Sequence, residues 1–509
     1  MKRTLLTIGI AIISMCTCFG QKMPKLHNET IEASKEYQNG NAFQKDLLLY
    51  VDMLGKTHPY YAEKKNVARL NRDAKKWYKE CGNITDTLKF AAFLQTITIP
   101  LNDGHTVVRY WDSFEKVFPI GVIIDGDSPA IVNVTSKDMK DCLGKSIKTI
   151  NGKSVKDILN IARPYVSADN WLNYEDLVAQ FFSFADFWKV LDMSNEVLDV
   201  VFDDGTEVEI KAVSRTEVQL AKLEEKVSTK FTAKRKVLFE YEILENESIC
   251  YLQFNQFADR MTHPNHPELP RFDFVLLDMM KEIDEKNIET LVIDLQYNGG
   301  GNSALGQLLM SWLHPFNKTN WTDVDVRISD LLCEHYPSYS KYTIDGEALE
   351  TGKVYDMFSF DQTKPDTDYE VPKDFVQDTS NYVANLDPDK IFKGNVIFIE
   401  SRGSLSSSEM LLTTSRDNGV GIIIGETSGA NPCNYGDILY SMLPNTSTLV
   451  GTSCKYFTRV NKNLLDEEYL VPDVIIDLDD PEKDLVWEWV LKNYGKQQQN
   501  SKTLWKDSR

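Results

Sequence analysis

Val396-Ile397-Phe398-Ile399 is an unbroken apolar run rich in β-branched residues, closed by Arg402-Gly403 and followed by the serine-rich turn Ser404-Leu405-Ser406-Ser407-Ser408. Such a run reads as a strand buried on both faces, which requires a sheet covered by helices. Met410-Leu411-Leu412 then opens a helix that stops at Asn418-Gly419. Where a buried strand hands over to a helix, unpaired backbone N–H groups and the positive end of the helix dipole converge. That setting suits a nucleophile whose product is an oxyanion. Serine-rich loops also cap helices in many proteins, so the stretch gains meaning only from its company.

The same handover occurs earlier. Leu291-Val292-Ile293-Asp294-Leu295 is a second buried strand, running into Gln296-Tyr297-Asn298-Gly299-Gly300-Gly301, with a helix expected over 303–313. Val420–Ile424 is a third strand, and Gly425-Glu426-Thr427-Ser428-Gly429 its turn. Strands alternating with helices predict a largely parallel sheet. Consecutive glycines let the backbone approach a partner closely. Phosphate is one candidate, but neither GxxxxGK[ST] nor GxGxxG is present.

A chain of 509 residues is too long for one core. Its formal charge of −20 provides no basic footprint and argues against a nucleic-acid partner. Lys2-Arg3, the apolar stretch Leu5 to Met15 and Cys18-Phe19-Gly20 read as an export leader over 1–20, too short and too quickly polar to stay as a membrane span. Neither Cys16 nor Cys18 follows the small residue of a lipoprotein signal, which favours a released protein. Cys81, Cys142, Cys250, Cys333, Cys433 and Cys454 remain, scattered and without CxxC or metal spacing. Export permits disulfides, while buried free thiols are the simpler reading.

Helices are expected from Leu47 to Gly55, from Lys64 to Glu80 and from Asp86 to Thr98, together forming an N-terminal helical domain over 21–112. Leu101-Asn102-Asp103-Gly104-His105-Thr106 follows as a turn and leaves His105 on a loop. Short β segments fill 113–213, with Asn151-Gly152 as a hairpin turn and Val155–Ala162 as a helix. Residues 214–237 read as a linker or exposed helix, and a last domain spans 238–482. Its 315–393 segment is an insertion rich in aromatics, either a lid or a surface excursion. Residues 483–509 are a terminal helix and tail.

The stretch Gly144 to Val155, with Ile147-Lys148-Thr149-Ile150-Asn151-Gly152, resembles PDZ domains. In such domains an extended peptide adds a strand to an open sheet edge. Leu295-Gln296-Tyr297-Asn298-Gly299-Gly300-Gly301, Ser406-Ser407-Ser408-Glu409, Gly425 to Gly429 and the closing Val471-Pro472-Asp473-Val474-Ile475 together resemble the C-terminal-processing and tricorn-core serine peptidases. That family also includes proteins similar to interphotoreceptor retinoid-binding protein repeats. The resemblance covers about 42–480. It implies an α/β protein with a ClpP/crotonase-like core, an N-terminal helical bundle and a PDZ-like domain. It also implies a peptide or unfolded-protein substrate and no cofactor or metal.

Carried over by residue, Ser406 matches the nucleophile. Gly300, with Gly301 beside it, and Ser407 match the oxyanion donors, and His105 the histidine of the tricorn-like branch. Where another branch has a lysine base this chain has Asn431, so a Ser-His mechanism follows. The family's late glutamate falls at Glu467, with Glu468 adjacent; Leu470 stands where a glycine is usual, and Gln296 where an arginine is. These departures support the rival expectation, a binding protein that keeps the scaffold without the reaction. An ester hydrolase is disfavoured, since no G-x-S-x-G elbow surrounds Ser406.

Overall fold

A computed structural model describes residues 23–109, 115–124, 129–134, 137–216, 231–232, 235–263, 265–361, 390–478 and 483–496. The expected leader (1–20), most of the linker, the second part of the expected insertion and the tail lie outside the described residues. The chain divides into two compact units, each assembled from separate stretches. The first takes 1–225, 323–366 and 433–458; the second takes 226–322, 367–432 and 459–509.

In the first unit, helices Ala42–Thr57, Lys64–Cys81 and Thr87–Thr98 bury Leu47, Leu54, Leu70, Phe90 and Leu94 in one core. Asn41 and Gln44 form a reciprocal capping box, and Asp86 accepts the Lys89 N–H to start the third helix. The first helix continues past Gly55, where a glycine near a helix end is tolerated at modest cost. Buried Asp46 reaches out of it to accept from Asn445 and Thr446.

The same unit holds an antiparallel sheet centred on the ten-residue strand Leu449–Thr458. It pairs with Asn434–Met442, Val107–Arg109 and Asp323–Arg327, and the last pairs with Val354–Asp356. Two strands of the stretch expected as an insertion thus complete this sheet. A further part carries the hairpin Ile120–Ile123/Ala130–Val134 and a four-stranded antiparallel sheet of Lys153–Ser154, Ile147–Ile150, Val197–Phe202 and Glu207–Lys211. Asn151 and Gly152 both have positive φ (51° and 73°), as a tight two-residue hairpin turn demands. The region is not all β. Helices Trp171–Phe181 and Ala185–Val190 pack Tyr174, Phe181, Phe187 and Trp188 into its core.

The second unit is a six-stranded sheet in the order Phe239–Leu244, Ile249–Phe254, Thr290–Asp294, Asn395–Glu400, Ile422–Gly425, Val474–Ile475. Its first pair is antiparallel and the rest are parallel. Side chains alternate between two cores. Cys250, Leu252, Leu291, Ile293, Val396 and Phe398 face the helices Phe272–Glu285, Ala304–Ser311 and Ser407–Asp417. Tyr251, Val292, Ile397 and Ile399 face the helix Leu485–Tyr494. The apolar runs are strands buried on both sides, as their composition demanded. The six cysteines from Cys81 to Cys454 are free thiols, and no described helix is long and apolar enough to cross a membrane.

Candidate active site

The turn bearing Ser406 is stitched to the glycine turn by hydrogen bonds that sequence distance hides. Ser404 Oγ donates to Leu295 O at 2.9 Å, the Leu405 N–H to Asn298 O at 3.0 Å, and Ser401 Oγ to Gln296 O. Asn298, fully buried, anchors the second turn by donating from Nδ2 to Phe254 O at 2.8 Å. Ser407 Oγ donates to Gly301 O at 2.6 Å.

Ser406 itself caps the helix Ser407–Asp417 without a side-chain cap bond, at φ 57°, ψ −120°. A non-glycine residue held there stores backbone strain, of order 1–3 kcal/mol. The turn keeps the hydroxyl from being spent on its own helix. A Cβ at Gly300 would meet Ser406 Cβ at 2.7 Å and Ser407 N at 3.0 Å; one at Gly301 would meet Phe257 O at 2.3 Å. Both glycines also have positive φ, 99° and 136°. Only glycine lets the two turns come this close.

Of the three residues expected as oxyanion donors, Gly300 gives its N–H to Asn298 Oδ1 at 2.9 Å. The N–H groups of Gly301 and Ser407 donate to no described residue. Two buried acids that the sequence reading gave no role stand here, Glu400 at the end of the strand Asn395–Glu400 and Glu409 in the first turn of the helix itself. The Ser428 N–H donates to Glu400 Oε1 at 3.0 Å, and Thr413 Oγ1 to Glu409 Oε1 at 3.3 Å, while the other oxygen of each carboxyl has no hydrogen-bond partner among the described residues. Burial, and then the charge of Glu409, pushes the Glu400 carboxyl well up; burial pushes Glu409 to about 7.

Glu467 is half exposed and pairs with Arg459 Nη1 at 2.7 Å. Arg459 is fully buried and grips Asp417, the last residue of the serine helix, through Nη2–Oδ1 at 2.8 Å and Nε–Oδ2 at 3.2 Å. The arginine thus fixes the loop of Glu467 to the helix that starts at Ser406. Glu468 is exposed, and Leu470 is fully buried in the sheet's core.

In the first unit, His105 lies on the turn between the third helix and Val107–Arg109, with 18% of its side chain exposed. Asp103, fully buried, accepts the His105 N–H at 2.8 Å on Oδ1, and that oxygen lies 3.8 Å from His105 Nδ1. Its Oδ2 takes His58 Nε2 at 3.0 Å and Ser453 Oγ at 2.8 Å. Because His58 Nδ1 accepts the Tyr60 N–H, the ring proton sits on Nε2 and points at Asp103. Burial alone would raise the Asp103 carboxyl, but the His58 hydrogen bond and the imidazoles around it hold it at about 2. Asp169 comes from the turn before Trp171–Phe181 and accepts the Gly104 N–H at 2.7 Å. Burial raises its carboxyl to about 6, against the pull of His105.

Asp103, His105 and Asp169 each place one ligand atom within 4.8 Å of the others, a spacing that could hold a cation. Both Asp103 oxygens, and Oδ1 of Asp169, already accept protein donors. The cluster therefore reads as a hydrogen-bonded mount for the histidine. Neither Asp169 nor His58 lay in any sequence motif; Asp103 stood in the Asp-Gly-His turn and was read only as turn chemistry.

Residues 248–476 match the model of peptidase family S41. That match supports a serine peptidase and, with it, a peptide or protein substrate. Among solved structures, the chain is similar to mature CPAF complexed with lactacystin, with a TM-score of 0.60 at 13% identity, covering 90% of this chain and 98% of that one. Mature CPAF alone gives a TM-score of 0.59 at 13% identity, covering 90% and 96%. At that identity the likeness speaks for a shared fold. None of the curated proteins matches the chain.

Proposed function

We propose that the protein is an endopeptidase or carboxyl-end processing enzyme that works by Ser-His acyl transfer, with Ser406 as nucleophile and His105 as its base. The observation that carries the reading is Ser406, strained at a strand-to-helix turn and pressed against a glycine pair that tolerates no Cβ. A serine hydroxyl is a weak nucleophile near neutral pH and needs a base to take its proton. An imidazole titrates in the right range to take that proton and to return it to the leaving amine.

The tetrahedral intermediate would place its negative charge at the start of Ser407–Asp417, where the helix dipole favours it. Ser407 and Gly301 are the proposed N–H donors, and Gly300 contributes the clearance. One such donor is typically worth about 3–4 kcal/mol of transition-state stabilisation. Glu467, held by Arg459, is the glutamate proposed from the family pattern. The region 113–213 is proposed as a PDZ-like module whose short edge strand Lys153–Ser154 could receive an extended peptide. The leader-like first twenty residues support export.

Reaction with a fluorophosphonate tests the reading. Wild-type protein should form an adduct on Ser406, and Ser406→Ala and His105→Ala should not. A folded wild-type protein that resists labelling would mark the chain as a binding protein on a peptidase scaffold.

A further inference from the structure

Asp169 is a partly buried acid that the proposed chemistry leaves unused. We infer that Asp169 is a positioning residue for His105, its carboxylate fixing the orientation and tautomer of the imidazole that serves Ser406. The inference rests on the Ser406–His105 reading and adds the group that steers the base.

Geometry supplies the first support. An Asp169 oxygen, a His105 ring nitrogen and an Asp103 oxygen lie within 4.8 Å of one another. The turn of Asp169 and the turn of His105 are tied twice. The Gly104 N–H donates to Asp169 Oδ1 at 2.7 Å across 65 residues of chain, and Ser167 Oγ donates to Asp103 O at 2.7 Å. A Cβ at Gly104 would stand 3.1 Å from Asp169 Oδ1 and 3.3 Å from Asp169 N. Glycine is therefore what admits this carboxylate beside the histidine.

The second support is the division of labour between the two acids. Asp103 spends Oδ1 on the His105 main-chain N–H and Oδ2 on His58 and Ser453, so it anchors the turn. Asp169 belongs to a different segment and meets the imidazole from outside that turn, as a group that sets a tautomer must. Burial raises its carboxyl to about 6, so the ionised form is held against the environment's preference. A residue kept only for packing would be better as asparagine, which retains the acceptor for Gly104 without the charge.

Two measurements on the full chain test this. In ring-nitrogen NMR of histidine, with the His105 signals assigned by their loss in His105→Gln, Asp169→Asn should change the tautomer pattern of His105 and leave His58 unchanged. Unaltered His105 signals overturn the inference, whether or not the protein is an enzyme. In fluorophosphonate labelling, Asp169→Asn should cut the maximal inactivation rate by about 10²-fold or more with the half-saturating concentration unchanged. Full-rate labelling of the variant also overturns it. A changed tautomer in a protein whose wild type never labels upholds the positioning role and refutes the Ser-His reading. Should Asp169→Asn fail to fold, Asp169→Ser carries both measurements.

Discussion

The mount of His105 and the mount of Ser406 are built from different materials. Around His105 the work is done by side chains: two aspartates, a second histidine and a serine, arranged so that one acid is held ionised and the other is pushed toward its neutral form. Around Ser406 it is done by main chain: a positive φ, two glycines without room for a Cβ, and serine-to-carbonyl bonds between two turns. The first kind of mount responds to pH and charge. The second responds to added atoms. The proposed reaction would need a tunable base and a rigid nucleophile, and each material suits one of these.

Removing either reactive group should have the largest effect. Ser406→Ala should lower turnover of an unfolded protein substrate by about 10⁴-fold or more while the melting temperature holds. His105→Ala should do nearly the same, because groups acting as a unit are not additive. If only one variant is impaired, the two mounts do not belong to one reaction.

A Cβ in the glycine cradle comes next. Gly301→Ala brings a methyl within 2.3 Å of Phe257 O at φ 136° and should cost about 3 kcal/mol or more in denaturant unfolding of the second unit. An unperturbed unfolding midpoint would mean that the cradle is looser than its contacts imply.

Acid and base should then separate the units. Asp103 has a folded pKa of about 2, below its ordinary value, so it contributes stability above pH 4 that is lost between about 4 and 2, roughly 2 kcal/mol. Asp169, raised to about 6, has the opposite sign and costs stability as pH climbs from about 4 through 6. In the second unit Glu409, raised to about 7, likewise costs stability as pH rises from about 4.5 through 7. Glu409→Gln should therefore stabilise the protein at pH 8, by about 1–2 kcal/mol, and do little at pH 4. Thermal melts of Asp103→Asn and Glu409→Gln across this range check both signs.

The smallest effect concerns strain. Ser406→Gly removes the side chain from an unfavourable φ and should stabilise the fold by about 1 kcal/mol, less the entropy that glycine adds to the unfolded chain. A destabilised variant would show that the serine's contacts outweigh its backbone cost.

Much of the fold was legible because local chemistry left little choice. Runs such as Val396 to Ile399 can only be doubly buried strands, and Asn151-Gly152 can only turn tightly. The helices Trp171–Phe181 and Ala185–Val190 escaped notice since their aromatic residues face a core on several sides, which erases the amphipathic stripe. The strand Leu449–Thr458 was missed for a related reason: Gly451, Thr452 and Ser453 interrupt its apolar pattern, yet it is the axis of the first unit's sheet.

At the candidate site, Ser406, Gly300 and His105 were visible through motif and turn chemistry. Residues of the mounts, such as Asp169, His58 and Arg459, were not. The sequence by itself determined the parallel sheet, the serine turn and the glycine turn, because periodicity and residue type act over a few neighbours. Tertiary structure alone decided which acid stands beside His105, that Asn298 takes the Gly300 N–H, and that Glu400 and Glu409 are both fully buried. Those outcomes depend on contacts between segments far apart in the chain, and on a low-dielectric interior that no local pattern encodes.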